Sequence, residues 1–466
     1  MSIVAAHGPV PEISYPVVVI GGGACGLCAA LAARDAGAEV VVIERDAVPR
    51  GTTAMSTGLI PAAGTPEQAA AGIDDDPARF AADRVAKTKG RVDAALVDRL
   101  ARESAETIAW LRDRHRVPLS LVSGFLYPGH SAMRMYGSPN RTGEELMAAL
   151  LAAAETAGVD LLSEARAVDL VADGDRIIAL VVERPDGARE TVGCGALILA
   201  CCGFAGDPDM VAEHIPDIRG ATFHGHPGNK GDAIKWGRAL GAALADMDAY
   251  QGHGGLAYGH AIPILWPLIV EGGFQVNRLG LRFSNEALGY SEQAAKVVAQ
   301  AGSVAWSIYD ARLHRLMLQF DDYRDAVSSG STVTADTPQA LAAVAGLPAG
   351  SLVATLAEVE RLTLDHAVDA FGRDFAGKPP LAAPYYAAKV TGALFHTQGG
   401  LVVDHDARVL KPNGRAFPNL FAGGGAARGV SGPGAAGYIA GNGLLTATTL
   451  GKLAGRVAAA QVAGER

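Results

Sequence analysis

The chain has 466 residues, of which 49% are hydrophobic, and a formal net charge of −9. The acidic balance and the lack of a Lys/Arg run argue against a nucleic-acid partner. The sequence contains no apolar stretch of about 18 or more residues, so we predict no membrane-spanning helix. Residues 1–16 show neither the basic nor the apolar region of a secretion signal, so we expect a cytoplasmic protein.

Five cysteines are present, and an odd number in a chain of this length does not indicate a disulfide framework. Cys25 and Cys28 are spaced as C-x-x-C, but no second pair lies at metal-binding spacing. We therefore expect small buried cysteines and no metal site.

The first predicted elements form a βαβ unit. Residues 16–20 (PVVVI) are a continuous apolar run, which is typical of a strand buried on both faces. The glycine-rich GGGACG follows at 21–26, and the helix predicted after it ends at Gly37. A second buried strand at 39–43 (EVVVI) ends at Glu44.

The next elements are mixed. A polar loop is predicted at 51–65, and helices are predicted at 77–89, 92–115, 143–157 and 230–242. Runs at 166–172, 176–183 and 189–193 predict a small antiparallel sheet, and 196–200 (ALILA) predicts another buried strand. From about 248 to 383 the character changes to short strands, a helix near 291–300 and polar segments, with 325–337 as a mobile loop. Strands at 401–403 and 419–422 and a helix at 442–460 follow.

The glycines of the first loop, Gly21, Gly23 and Gly26, fit the pattern G-x-G-x-x-G. The first makes the tight turn, the second lets the backbone approach a pyrophosphate, and the third lets helix and strand pack closely. The helix N-terminus offers N–H groups to phosphates, and the Glu44 carboxylate can accept hydrogen bonds from ribose hydroxyls. Together these features predict a dinucleotide site.

A second glycine cluster favours FAD over a nicotinamide cofactor. AGGGAA (422–427) and GPGAAGYIAGNG (432–443) precede the last helix, and a simple nicotinamide enzyme would not need them. The N-terminus of that helix, near Asn442, would face the flavin pyrimidine oxygen and favour negative charge there.

The chain resembles the fumarate reductase and succinate dehydrogenase flavoprotein superfamily. The matching segments, in family order, are VVVIGGGACG (17–26), GTTAMSTG (51–58), ALILACCGFAGD (196–207), NKGDAIKWGRALGA (229–242), QGH (251–253), LRFSNE (281–286), HTQGGLVVD (396–404), LFAGGGAA (420–427) and GNGLLTATTLGKLAG (441–455). The resemblance implies an α/β fold with a Rossmann-like FAD-binding domain of the GR2 type at 1–247 and 384–466. An α+β substrate or capping domain is expected at 248–383, inserted into the first.

The resemblance also implies the cofactor contacts. No histidine lies in the loop at 51–58, so we expect FAD to be bound non-covalently. The expected contacts are Gly21, Gly23, Ala24, Cys25, Gly26, Glu44, Arg45, Thr52, Thr53, Ser56, Thr57, Gly58, Ala167, Val168, Ala200, Gly203, Gly424, Asn442, Gly443, Leu444 and Leu445.

Two positions depart from fumarate reductases, which use one arginine as proton donor and a second to clamp a substrate carboxylate. Aligning LRFSNEALGYSEQ (281–293) places Tyr290 at the first position, and aligning GYIAGNG (437–443) places Tyr438 at the second. A phenol cannot match a carboxylate bidentately as a guanidinium does, so we do not expect a dicarboxylate held in the fumarate manner.

The tyrosine pair resembles the 3-ketosteroid dehydrogenases and related cyclic-ketone desaturases. In that branch one tyrosine is the base, and a second, in a Y-x-x-G segment, hydrogen-bonds the ketone. The resemblance implies α,β-desaturation of a cyclic ketone of the 3-ketosteroid or 4-oxocyclohexanecarboxylate type. Tyr438 and a backbone N–H near Asn442 would polarise the ketone, Tyr290 would take the α-proton, and flavin N5 would accept hydride.

Other candidates are left open. Tyr127, Tyr136 or His253 would serve as a proton relay to Tyr290. His253 and His396 match substrate-binding histidines, so both are expected at the catalytic site, and Arg134 is a candidate for a substrate carboxylate. The expected partners are a small cyclic ketone and an external electron acceptor, because no haem or iron–sulfur motif is present. An enoate reductase of the fumarate type and a non-catalytic flavin-binding protein remain alternatives.

Overall fold

The structure is a computed structural model that describes residues 2–5, 11, 13–124 and 126–465. Its strands are β1 (Ile3–Ala5), β2 (Ile13–Ile20), β3 (Val40–Ile43), β4 (Ile60–Pro61), β5 (Ser120–Leu121), β6 (Met135–Gly137), β7 (Asp160–Leu162), β8 (Arg166–Asp173), β9 (Arg176–Glu183), β10 (Arg189–Leu199), β11 (Thr222–Phe223), β12 (Leu244–Ala245), β13 (Tyr250–Ala257), β14 (Phe274–Val276), β15 (Val304–Asp310), β16 (Thr332–Ala335), β17 (Tyr385–Thr397), β18 (Gly400–Leu401), β19 (Arg408–Leu410) and β20 (Ala416–Ala422).

Its α-helices are α1 (Ala24–Asp35), α2 (Gly51–Ala54), α3 (Pro66–Ala70), α4 (Pro77–Lys87), α5 (Ala94–Ala109), α6 (Gly143–Thr156), α7 (Pro208–His214), α8 (Asp232–Leu240), α9 (Pro267–Val270), α10 (Tyr290–Val298), α11 (Ala311–Met317), α12 (Asp321–Ser328), α13 (Pro338–Ala345), α14 (Ala349–Leu364) and α15 (Asn442–Gly464). A π-helical turn at Trp110–Arg114 extends α5. Among the described residues, no helix combines the length and apolar character that a bilayer crossing requires.

The first of two compact units contains the described residues of Met1–Ile215, Gly225–Tyr250 and His396–Arg466. Its nine-stranded sheet runs β1-β8-β9-β10-β2-β3-β7, and β20 pairs with both β10 and β19. β2 and β3 are parallel, with Val17 opposite Val40, and the residues that pair, 17–20 and 40–43, are buried. The predicted βαβ unit is therefore confirmed, because both faces of these strands are covered.

β10 corrects the prediction of a separate antiparallel sheet. Residues 189–199 form one strand, whose first half is antiparallel to β9 and whose last residues are parallel to β20. β2 pairs in parallel with both halves, from Val192 to Leu199, and so carries the strand through Gly193 and Gly195. The partner strand overrides the local break that two glycines suggest.

Helices α1 and α15 meet backbone to backbone. A Cβ atom at Gly451 would lie 2.3 Å from the carbonyl oxygen of Cys25, and one at Gly455 would lie 1.9 Å from that of Ala29. Only glycine permits so close an approach. The five cysteines are free and buried or half-buried, as expected.

The second unit contains Pro216–His224 and Gln251–Phe395. Its six-stranded sheet centres on β17, which pairs with β11, β13, β15 and β16, and β15 pairs with β14. The unit extends to Phe395 rather than 383, because β17 continues past the expected boundary. The roles of the two units as FAD-binding and capping domains stay predictions.

The prediction of a mobile loop at 325–337 is wrong. Helix α12 covers its beginning, and β16 pairs with β17, with Val333 opposite Ala387. The serine- and glycine-rich residues form only the turn between these two elements. Pairing to the central strand holds a segment whose composition alone indicated a loop.

Candidate active site

A cleft lies in the first unit around the glycine loop. Gly21, at the end of β2, has a φ of +105°, and a Cβ atom there would lie 2.6 Å from the carbonyl oxygen of Ala200. A Cβ atom at Gly26 would lie 1.8 Å from the carbonyl oxygen of Gly21. Both positions therefore require glycine, the first for its turn and the second for the close approach of α1.

Many of the expected cofactor residues line this cleft. They are Gly21, Gly23, Ala24, Cys25, Glu44, Arg45, Thr52, Thr53, Ala167, Ala200 and Gly424. The other expected contacts are not among its lining residues: Gly26, Ser56, Thr57, Gly58, Val168, Gly203, Asn442, Gly443, Leu444 and Leu445. Of these, Gly203 packs tightly, since a Cβ atom there would lie 2.0 Å from Thr397 Oγ1.

The sequence reasoning missed part of the cleft that precedes and includes α8. Asn229 Nδ2 donates to Thr52 Oγ1 at 2.7 Å, and the His226 amide donates to the same oxygen at 3.2 Å. Arg45 Nη1 donates to the Gly228 carbonyl at 3.0 Å. The segment NKGDAIKW carried the signal, but only its resemblance to the superfamily was used.

Glu44 braces the glycine loop. Its Oε2 accepts the Gly22 amide at 2.7 Å, and its Oε1 accepts the Asp46 amide at 3.0 Å. Each carboxylate oxygen can accept a further hydrogen bond, so these bonds leave room for the expected ribose contact.

The cleft fits a dinucleotide. The Ala24 amide at the start of α1 donates to Thr53 Oγ1 at 3.2 Å and Gly23 supplies no side-chain cap, so the remaining N–H groups of the first turn are suited to a pyrophosphate. Asp232 Oδ1 is buried in the cleft wall and has no hydrogen-bond partner among the described residues. Burial also raises the pKa of Asp232. An orphaned acceptor and helix N-terminal amides in one cleft match a ligand with both hydroxyl and phosphate groups.

Tyr438 lies close to His396 and to the start of α15. Their ring centroids are 5.7 Å apart, and a Cβ atom at Gly443 would lie 2.9 Å from His396 Nε2 and 3.8 Å from Tyr438 Oη. Burial raises the pKa of Tyr438, and a backbone hydrogen bond from Gly443 opposes that shift without cancelling it. Tyr438 is therefore a neutral phenol at neutral pH, able to act as a hydrogen-bond donor.

A hydrogen-bonded chain holds His396 in place. Asn442 Nδ2 donates to Ser431 Oγ at 3.0 Å, and Ser431 Oγ donates to Gln398 Oε1 at 2.7 Å. Gln398 Nε2 lies 3.1 Å from His396 Nδ1. Sequence reasoning missed Ser431 and Gln398, although Gln398 stands in the HTQGG motif.

In the second unit, Tyr290 is the first residue of α10 and packs against His253, with ring centroids 5.3 Å apart. Burial, and then the nearby His224, lower the pKa of His253 to about 3, so its ring is neutral. The Gly255 amide donates to His253 Nδ1 at 3.1 Å, which places the ring proton on Nε2. Of the three expected relay residues, His253 thus contacts Tyr290.

The other relay candidates lie in the first unit. The hydroxyl of Tyr136 is bonded to Thr65 Oγ1 and lies 3.4 Å from Glu67 Oε2. Burial raises the pKa of both Tyr127 and Tyr136. Both phenols therefore stay protonated at neutral pH, and that of Tyr136 is already engaged with Thr65 and Glu67.

Arg134 does not offer a free cation. Its Nε and Nη2 donate to the two oxygens of Asp75 at 2.9 and 2.8 Å, and its Nη1 donates to Asp83 Oδ2 at 2.5 Å. The guanidinium and the Asp75 carboxylate are fully buried. The expectation that Arg134 binds a substrate carboxylate is wrong, because two aspartates already occupy it.

Three buried histidines predict acid sensitivity. Burial lowers the pKa of His130 and His253 to about 3 and that of His396 to about 4. The unfolded chain therefore binds more protons below about pH 6.5, so stability falls as the pH drops from there towards 4. At pH 5 each histidine should cost about 2 kcal/mol of unfolding free energy relative to pH 7. Urea unfolding of the holoprotein at both pH values measures this.

Two variants separate this effect from general acid unfolding. The His396→Gln variant should show a smaller stability difference between the two pH values than the wild type, and His405→Gln, at an exposed position, serves as the control. Equal pH dependence in all three proteins would contradict the assignment.

Comparison with known proteins identifies the family. The family model for the FAD binding domain matches residues 16–444. The chain is 29% identical over 458 residues to a fumarate reductase (cytochrome) from Shewanella frigidimarina, covering 98% of this chain and 79% of that protein. It is 28% identical over an alignment of 552 residues to a 4-oxocyclohexanecarboxylate 2-dehydrogenase from Sinomonas cyclohexanicum, covering 97% and 94%.

Solved structures show the same fold. A flavocytochrome c3 fumarate reductase superposes with a TM-score of 0.82 at 27% identity, covering 97% of this chain and 79% of that one. A 3-ketosteroid-Δ4-(5α)-dehydrogenase from Rhodococcus jostii RHA1 has a TM-score of 0.76 at 24% identity, covering 98% and 99%. The predicted α/β flavoprotein fold and the FAD cofactor are confirmed. The chain belongs to the FAD binding domain family and is an FAD-dependent oxidoreductase.

Proposed function

We propose that this oxidoreductase acts on CH–CH groups and introduces an α,β double bond next to the ketone of a cyclic substrate. The observation that carries the proposal is the buried, neutral phenol of Tyr438 beside His396 and the Gly443 amide. A neutral donor suits a ketone oxygen, which carries no charge until the α-proton leaves.

Each side chain has a separate task. When bound non-covalently, FAD supplies the acceptor for a hydride from the β-carbon. Tyr438 donates a hydrogen bond to the ketone oxygen and stabilises the negative charge that develops there. His396, held through Gln398 and Ser431, orients the phenol. Electrons then leave to an external acceptor.

Tyr290 is the base in this proposal and takes the α-proton. A phenol has an unperturbed pKa of about 10, so its ionised form needs a stabilising neighbour. His253 is neutral, packs on Tyr290 and keeps its proton on Nε2, which makes that nitrogen a donor suited to a developing phenolate. His253 therefore supports the base and does not itself accept the substrate proton.

A reductase acting on an α,β-unsaturated acid is the second candidate. The similarity to the Shewanella frigidimarina fumarate reductase favours it. Against it stand Tyr290 and Tyr438, at the positions where alignment to fumarate reductases expects arginines. Neither phenol supplies the bidentate cation that a dicarboxylate requires. The similarity to a 4-oxocyclohexanecarboxylate dehydrogenase supports the ketone instead.

The direction of the reaction separates the two candidates. We expect the oxidised holoprotein, kept free of oxygen, to lose its visible flavin absorbance on addition of a cyclic ketone and to release the corresponding enone. The panel includes 4-oxocyclohexanecarboxylate, cyclohexanone and a 3-ketosteroid, with cyclohexane carboxylate as the control that lacks a ketone.

Two other results would contradict the desaturase. Oxidation of the reduced holoprotein by fumarate or acrylate, together with no bleaching by any ketone, would establish the reductase. A flavin that responds to neither class would indicate a non-catalytic flavin-binding protein.

A further inference from the structure

Arg84 is a buried cation whose donors are not all used. It lies on α4 with 1% of its surface exposed, and its guanidinium carbon is 3.7 Å from the centroid of the Phe80 ring. Its Nη1 donates weakly to the Phe80 carbonyl at 3.4 Å. Its Nε and Nη2 have no hydrogen-bond partner among the described residues. Stacking on a ring leaves in-plane N–H groups unsatisfied, so this edge lacks an acceptor.

Arg134 shows what such an edge binds in this protein. Its guanidinium carbon lies 4.6 Å from the centroid of the same Phe80 ring. Its Nε and Nη2, the pair that is empty in Arg84, hold both oxygens of Asp75 at 2.9 and 2.8 Å. Both guanidinium groups thus lie over the Phe80 ring, but only that of Arg134 is hydrogen-bonded to a carboxylate.

Helix α4, which carries Arg84, lies close to the segment that carries Tyr438. A Cβ atom at Gly437 would lie 2.9 Å from Cγ2 of Thr88, which caps the C-terminal end of α4. Arg84 and Tyr438 interact electrostatically, each favouring the charged form of the other. Burial, and then Arg134, lower the pKa of Arg84 to about 9, so it remains a cation at neutral pH, and Asp83 and Asp75 lie near enough to favour its charged form without bonding to its Nε and Nη2.

We infer that the Nε–Nη2 edge of Arg84 binds a carboxylate of the substrate, which is therefore a ring ketone that also carries a carboxylate. The inference rests on the proposed function, because it takes the ketone to bind at Tyr438. Two buried donors without an acceptor are costly, and a bidentate carboxylate is the group that this planar edge matches. An uncharged steroid ketone offers no such group.

The test compares an acid with its neutral ester. The ratio of kcat/KM for 4-oxocyclohexanecarboxylate to that for its methyl ester is measured in the wild type, Arg84→Met and Arg102→Met holoproteins. Arg102 is an exposed cation paired with Asp98 and serves as the matched control. We expect the Arg84→Met variant to lower the ratio about 100-fold, mainly through KM, and the control to leave it unchanged.

A purely structural role would give a different pattern. If the Arg84→Met variant lowered both rates equally, or if the wild type showed no preference for the acid, the inference would be overturned. Should Arg84→Met fail to fold, Arg84→Lys keeps the charge but not the edge, and we expect it to lower the ratio at least tenfold.

A separate binding measurement tests the carboxylate site if the proposed function fails. If no ketone is oxidised, binding of cyclohexane carboxylate, which has no ketone, is followed through its effect on the flavin spectrum. A dissociation constant about 100-fold weaker in Arg84→Met would support the carboxylate site without desaturation. Equal constants in the wild type and Arg84→Met would refute it.

Discussion

Replacing Tyr290 by phenylalanine is expected to slow ketone-dependent flavin reduction by about 10³-fold, because general base catalysis contributes typically 10²–10⁴-fold. The ring would still pack against His253 and Trp266, whose centroids lie 5.3 and 6.3 Å from that of Tyr290. The substitution thus removes only the oxygen that accepts the α-proton. Stopped-flow mixing of oxidised holoprotein with ketone in the absence of oxygen measures the rate.

The assignment also predicts an isotope effect. Wild-type protein should reduce more slowly with substrate deuterated at the α-carbon, and Tyr258→Phe, at a half-exposed position of the same unit, should behave as wild type. A Tyr290→Phe variant that bleaches at the wild-type rate would remove Tyr290 from the mechanism. The desaturase would then need another base.

Replacing Tyr438 by phenylalanine is expected to lower kcat by about 10²–10³-fold, the usual effect of removing one donor to a developing oxyanion. The substitution affects charge that appears mainly in the transition state, so KM should change less than kcat. Flavin content and urea stability of the variant show whether the fold is intact.

The pH dependence provides a further check on Tyr438. Because burial raises its pKa, the phenol stays protonated and keeps its donor through the alkaline range in which an ordinary tyrosine ionises near pH 10. A decline in wild-type kcat below that pH must therefore come from another group. If the Tyr438→Phe variant abolished such a decline, the assigned protonation state would be wrong.

The sequence predicts the cofactor half of the fold well, and the reason is local. Two buried strands, a glycine loop and a helix follow one another without interruption, so periodicity and turn chemistry both point to the same unit. The glycine constraints at Gly21 and Gly26 follow directly from that order. Local composition predicts the wrong structure for β10 and β16, because pairing to a partner strand determines the conformation of both.

The chemistry at the site was less predictable, as two arginines show. Nothing in the sequence tells whether Asp75 and Asp83 pair with Arg84 or with Arg134, since that choice depends on how α4 and the segment before β6 pack. In the structure both aspartates pair with Arg134, which was one of the sequence candidates, whereas Arg84, which was not a candidate, keeps two donors without a partner among the described residues. Likewise, Gln398 and Ser431 become visible only through their bonds to His396 and Asn442.

The contact between α1 and α15 has a consequence for how the first unit keeps its alignment. One helix begins at the glycine loop and the other begins beside Tyr438, and they touch through main-chain atoms at Gly451 and Gly455. Main-chain atoms have no rotamers through which a displacement can be absorbed. A displacement of one helix must therefore displace the other. The glycine loop at the start of α1 and the Tyr438 segment at the start of α15 are thus expected to move together.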